Sequence, residues 1–208
     1  MFDVSWLIFV GASLVVILAP GQDMILVMSR GMSQGAAAGI AAGAGVSLGL
    51  LCHTLLAALG LGALLAASEM AFTILKIVGA AYLLYLGVRL LWTGHRQMQA
   101  QAAKQSSLFK TFSTGALSNL SNPKIALFYF AFLPQFVPAG AAHPTLILFA
   151  LGVVFAALTF LIKVPVGYFA GGLSAWFRAH PQALTWLYRI SGMALIGIGL
   201  RLALSERA

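Results

Sequence analysis

A single cysteine and only four acidic side chains in 208 residues set the first limits on this chain. Cys52 alone cannot close an intramolecular disulfide, and no Cys/His cluster has zinc-like spacing, so neither redox chemistry nor a metal or other cofactor is indicated. Charge of either sign is scarce: 8% of residues are charged against 61% hydrophobic, and the mean hydropathy is +0.98. Too little polar surface remains to coat a water-soluble globule, so lipid is the expected solvent. An intramembrane enzyme would need a nucleophile with its base or a cluster of metal ligands, and no such spacing occurs.

What is present is long apolar sequence. At roughly 20 apolar residues per crossing, the chain accommodates about six spans and no sizeable soluble domain. The expected fold is all-α, a polytopic membrane protein in one transmembrane domain over 1–208. Its spans fall near 4–30, 36–66, 70–92, 111–137, 144–171 and 183–204. One hydrophilic connection, Thr93 to Lys110 with His95, Arg96 and Lys104, separates a first half of about 1–92 from a second of about 111–208.

The net charge of +8 comes from basic residues scattered around helix ends, which is an orientation signal and not a nucleic-acid surface. Arg89, Arg96, Lys104 and Lys110 put the 93–110 loop in the cytoplasm, alternation puts Arg30 and Arg178 on the same side, and Asp3 and Glu69 fall opposite. Three crossings per half then leave both termini outside, against which Arg201 and Arg207 weigh. Met1-Phe2-Asp3 lacks a basic n-region, so the first apolar stretch reads as a retained span.

Two helix-breaking clusters interrupt the apolar sequence at corresponding points of the halves: Pro20-Gly21-Gln22-Asp23 and Asn119-Leu120-Ser121-Asn122-Pro123-Lys124. Proline frees backbone groups that hydrocarbon cannot satisfy, so such breaks persist where they are buried in protein or line a wet cavity. The halves also echo each other, Lys76-Ile77-Val78-Gly79 with Gly87-Val88-Arg89-Leu90 against Arg189-Ile190-Ser191-Gly192 with Gly199-Leu200-Arg201-Leu202. That echo aligns third span with sixth, as the breaks align first with fourth. An odd number of spans per repeat inverts the second copy, so two inverted three-helix repeats are expected, with both breaks facing the midplane as in a transporter.

Several ordered motifs carry a family resemblance: Pro20-Gly21-Gln22-Asp23, Leu75-Lys76 running through Gly79-Ala80-Ala81-Tyr82 to Gly87, Asn119 through Lys124, and Phe132-Leu133-Pro134-Gln135-Phe136. On these the chain resembles the LysE/RhtB amino-acid exporters over nearly its whole length. The resemblance implies efflux of amino acids or related small metabolites across the bacterial inner membrane, energised by the proton gradient. The family usually reads Pro-Gly-Pro at the first break, where this chain has Gln22.

The residues themselves suggest how such a solute would be held. Asn122 before Pro123 suits a helix start, with the asparagine as N-cap and the proline at the first position. The N–H groups and dipole of that new half-helix attract a carboxylate, with Lys124 adding charge nearby. Pro20 and Gly21 likewise start a half-helix, placing Asp23 in its first turn beside Gln22. Asp23 is the one carboxylate well inside the bilayer region, since Asp3, Glu69 and Glu206 lie near ends, so it is the candidate for carrying a proton or holding an ammonium. The alternative for Asp23 and Asn122 is that they only satisfy broken helix ends, while Asn119 joins them as a candidate for the substrate or proton pathway.

Lys163, deep in the fifth span, calls for water, the interface or a partner such as Asp23. His53 offers either a helix-to-helix hydrogen bond or a proton relay. Gly31, Gly35, Gly39 and Gly43 recur every fourth residue and form one stripe if the second helix begins early, serving close packing within one chain or in a homodimer. An exporter of an inorganic cation or other small solute stays as the alternative, although Asp23 and His53 are a thin ligand set for a metal.

Overall fold

The computed structural model describes residues 5–67, 69–93, 105–138 and 141–204. His95, Arg96 and Lys104 of the basic connection, and Asp3, Glu206 and Arg207 near the ends, lie outside the described residues. The described elements are helical: α1 (Trp6–Leu18), α2 (Gln22–Gln34), α3 (Ala36–Ala67), α4 (Glu69–Thr93), α5 (Leu108–Leu120), α6 (Pro123–Phe132) with a 3-10 turn at Leu133–Phe136, α7 (Pro144–Tyr168), α8 (Ala170–Ala179) and α9 (Pro181–Leu204).

Among the described residues, α3, α4, α7 and α9 each contain a stretch long and apolar enough to cross a membrane. Helices α1 and α2 meet that test together but bend by 56° at their junction, so the described residues hold four candidate crossings, or five if the bent pair is one span. The stretch expected as one broken crossing at 111–137 is two short helices and a turn. Pro123 has no N–H to continue α5 and its fixed φ suits a first turn, so the helix stops at Leu120 and restarts. Pro165 sits inside α7 near its end, where Phe169 N still bonds Pro165 O at 2.9 Å. The ten-residue α8, which the hydropathy pattern does not announce, follows directly.

Small residues set the helix spacing. Helix α3 packs α7 on one face, where a Cβ on Gly39 would collide with Gly167 O and one on Gly43 would lie 3.1 Å from Lys163 backbone. On another face it packs α5, where a Cβ on Gly45 would collide with Phe112 O. At Gly39 and Gly45 only hydrogen fits, which is how small residues let membrane helices pack closely. Gly31 joins Gly39 and Gly43 against α7, but the expected four-glycine stripe is interrupted at Gly35. That residue forms the turn between α2 and α3 at φ 89°, a left-handed conformation that glycine alone adopts readily.

Helices α4 and α9 pack antiparallel, with Gly87 against Gly192 and Gly199 against Ala80. An aromatic interior of Phe9, Phe128, Tyr129, Phe132 and Phe155 fills the space beside the breaks, while Leu7, Leu59 and Leu161 are exposed. Apolar side chains on the outer surface suit a protein whose solvent is lipid.

Candidate functional site

The two breaks meet. Helix α1 stops at Leu18, the chain turns through Ala19, Pro20 and Gly21, and α2 starts at Gln22 with Asp23 in its first turn. Gly21 O accepts from Ile25 N at 3.0 Å, so the new helix begins at the glycine carbonyl. Across from it, α5 ends at Leu120 and Asn122 caps α6, its side-chain oxygen accepting from Lys124 N at 3.1 Å with Pro123 in the first turn.

Asp23 is the point where the breaks join. Asn119 Nδ2 donates to Asp23 Oδ2 at 2.8 Å and Asn122 Nδ2 donates to Asp23 Oδ1 at 3.3 Å, so both carboxylate oxygens are held by the other half of the chain. All three side chains are buried. Asn122 thus works in two directions, its oxygen fixing the start of α6 and its nitrogen fixing Asp23. Asn119 Oδ1 is buried without a hydrogen-bond partner.

Lys163 is buried but does not bond Asp23 directly. Its ammonium donates to Ile17 O at 3.1 Å and lies 3.6 Å from Met24 Sδ. Ile17 belongs to the last turn of α1, where helical carbonyls lose their partners. A cation there satisfies a freed acceptor and complements the negative end of the helix dipole, which explains why the lysine goes to the backbone. Lys124 sits over the other side of the break, its Nζ 3.3 Å from where a Cβ on Gly21 would be. That ammonium makes no hydrogen bond among the described residues.

Asp23, Lys124 and Lys163 line one cavity with Gln22, Asn122 and Thr159. Its volume is about 30 Å³, room for one or two water molecules but not for an amino acid, so the cavity is constricted in this conformation. Gln22, at the position where the resemblance leads one to expect proline, donates from Nε2 to Ser118 Oγ at 3.0 Å. His53 lies behind the asparagines, with Nε2 3.3 Å from Asn119 O and its ring 5.7 Å from that of Tyr129. It forms a helix-to-helix contact with the backbone of the break and does not line the cavity.

Sequence reasoning passed over Ser118, Thr159 and the buried Tyr129 hydroxyl, which lies 3.2 Å from Thr54 Oγ1. Among the described residues no three His, Cys, Asp or Glu side chains come together as a metal site.

Residues 14–206 match the family model of the LysE type translocators. An uncharacterized membrane protein of Pseudomonas aeruginosa is 36% identical over 193 residues, covering 90% of this chain and 89% of that protein. The uncharacterized membrane protein YrhP of Bacillus subtilis is 34% identical over 212 residues, covering 97% of this chain and 99% of its own. A homoserine/homoserine lactone efflux protein of Salmonella typhi is 30% identical over 205 residues, covering 98% of both. No solved structure matches the chain.

Proposed function

This chain belongs to the LysE type translocator family and is a multi-pass membrane exporter of amino-acid type, not an enzyme; on that premise we propose that it is a proton-coupled secondary exporter of small zwitterionic amino acids across the inner membrane. The Salmonella relative is named for homoserine, so homoserine is the first solute to test. The observation that carries this reading is Asp23, held by Asn119 and Asn122 from the opposite break, in one cavity with the Lys124 ammonium.

A zwitterion needs partners of both signs a short distance apart. The substrate carboxylate goes to Lys124 and the start of α6, where the helix dipole adds to the attraction. The substrate ammonium goes to Asp23, whose oxygens keep lone pairs beyond the two amide bonds. On the outer side a proton replaces the ammonium on Asp23, the solute leaves, and that proton is released when the site next faces the cytoplasm. Lys163 stays on the end of α1 and holds the break open. The Lys124 ammonium argues against an inorganic cation as the solute, since it would repel one from the same cavity.

The architecture we propose is one transmembrane unit of two inverted repeats, with α5 and α6 together counted as the fourth of six spans and the 93–110 loop cytoplasmic. Support comes from reciprocal packing: Gly87 meets Gly192 while Gly199 meets Ala80. The internal echo pairs Gly87 with Gly199 and Gly79 with Gly192, so each contact is nearly the two-fold image of the other.

The test is efflux from cells overexpressing the chain and loaded with labelled homoserine, threonine, alanine, lysine or arginine, with and without an ionophore that collapses the proton gradient. Faster, gradient-dependent efflux of the neutral solutes is expected. Absence of efflux for every amino acid overturns the substrate reading, and efflux indifferent to the ionophore overturns the coupling.

A further inference from the structure

The site is flanked on its two sides by seams of opposite chemistry. Toward the 105–110 segment, α2 runs away from the break while α5 runs toward it, and polar contacts join them. Beyond the Asp23–Asn119 bond, Gln22 Nε2 donates to Ser118 Oγ at 3.0 Å. At the far end Arg30 Nη1 donates to Ser106 Oγ at 3.1 Å, and Gln34 Oε1 accepts from Ser106 N at 3.3 Å. Ser106 Oγ also lies 2.9 Å from Thr111 Oγ1, which ties this clasp into the first turn of α5.

Away from that segment, α1 and α6 meet through rings. Phe9 stacks on Phe132 at 6.1 Å and stands edge-on to Phe136 at 5.1 Å, and Phe132 stacks on Phe128 at 4.5 Å. Phe9, Phe128 and Phe132 are almost wholly buried.

We propose that the α2–α5 seam is the gate through which solute enters the cavity from the side of the 105–110 segment, that the Arg30–Ser106–Gln34 clasp is its latch, and that Phe9, Phe132 and Phe136 form the opposite gate. Opening the polar seam exchanges each protein hydrogen bond for one to incoming water, so its net cost is small. Opening the aromatic seam brings buried rings into contact with water, which costs far more per contact. The empty protein therefore opens first on the polar side, and the aromatic side parts only when bound solute compensates. That order suits an exporter loading on the side of its basic loop, and in this respect the inference rests on the reading above.

The gate can be tested without knowing the solute. In a Cys52→Ser background, Ser118→Cys is reacted with a membrane-impermeant thiol reagent in sealed vesicles of either orientation. Modification is expected from the 105–110 side, and Arg30→Ala with Gln34→Ala should speed it by about tenfold or more, since together they remove the bonds that Arg30 and Gln34 make to Ser106. Ser106→Ala, a milder change, should speed it less. Phe9→Ala should leave that rate alone and admit reagent from the opposite side. Modification of Ser118→Cys only from the opposite side, or a rate indifferent to both latch variants, overturns the proposal. Bridging Arg30→Cys to Ser106→Cys with a bis-methanethiosulfonate, which joins each thiol through a disulfide, should stop efflux until the bridge is reduced, and undiminished efflux through the bridged protein overturns it as well. Labelling reports on the gate even if no amino acid proves to be exported, so the two failures are distinguishable.

Discussion

Asn119 donates to Asp23 over 2.8 Å, joining the last turn of one half-helix to the first turn of another across 96 positions of sequence. With the weaker bond from Asn122 at 3.3 Å, it makes a single carboxylate the fastener between the two breaks. Anything that changes how many hydrogen bonds Asp23 accepts changes how the halves are held at the cavity. Binding chemistry and conformational change therefore share one group.

Asp23→Asn tests this directly. An amide offers one acceptor oxygen to the two asparagine donors, leaving one donor buried and unpaired at a cost of about 1–3 kcal/mol. The variant should still fold, with a lowered melting temperature in detergent, and should lose gradient-driven efflux while its expression stays near normal. Unchanged efflux by a normally expressed variant would reduce Asp23 to a structural cap.

The positions of both breaks were legible because proline leaves little choice: α2 starts two residues after Pro20 and α6 at Pro123. The capping role of Asn122 was legible for the same reason, since an Asn-Pro pair has the geometry of a helix start. What Lys163 bonds to was not, because its partner is the backbone carbonyl of Ile17, and a freed carbonyl carries no residue type to read. Asn119 was read as part of the break without its shorter bond being distinguishable from that of Asn122, since the geometry between α5 and α2 decides which amide comes nearer. Gly35 looked like one more glycine in a stripe, and only its φ of 89° identifies it as the turn. Helix α8 went unannounced because ten residues containing Trp176, Phe177 and Arg178 are too short to register as a span.

Lys163→Met keeps the length and apolar stem of the side chain while removing the ammonium that satisfies Ile17 O. A buried carbonyl left without a partner costs about 1–3 kcal/mol. Lys163→Arg should lose less, since it keeps a donor and the charge at the end of α1. Melting temperatures in one detergent check the order, wild type above arginine above methionine. A methionine variant as stable as wild type would show that water satisfies the carbonyl.

Close helix approach predicts an asymmetry between glycines. A Cβ on Gly39 would collide with Gly167 O, whereas one on Gly60 meets nothing within 4 Å. Gly39→Ala must push α3 from α7 and should sharply reduce the yield of monodisperse protein. Gly60→Ala should express like wild type. Equal yields from both would mean that α3 and α7 lie farther apart in the membrane.

Orientation can be read from the exposed residue Gln105, next to the latch. In a Cys52→Ser background, Gln105→Cys should resist an impermeant thiol reagent added to intact cells and react in inverted vesicles. Labelling in intact cells would invert the topology, placing the 105–110 side outside the cell and the aromatic gate inside.

Lys124 decides the polarity of the bound solute. Its ammonium lines the cavity without a hydrogen bond among the described residues, so it can take a substrate carboxylate, whereas Asp23 already accepts from two amides. Homoserine carries a free carboxylate, and its lactone carries the same amine with the carboxylate closed into an ester. Wild type should prefer homoserine, since a charge-assisted hydrogen bond is about twice as strong as a neutral one. Lys124→Met should weaken homoserine much more than lactone, narrowing that preference while leaving the N-cap of α6 intact, because Asn122 bonds the backbone N of residue 124 and not its side chain. Competition of each unlabelled solute against labelled homoserine efflux measures the ratio. If Lys124→Met lowers both solutes equally, the carboxylate lies elsewhere, and the reversed pose, with the carboxylate beside Lys163 at the end of α1, becomes the one to build on.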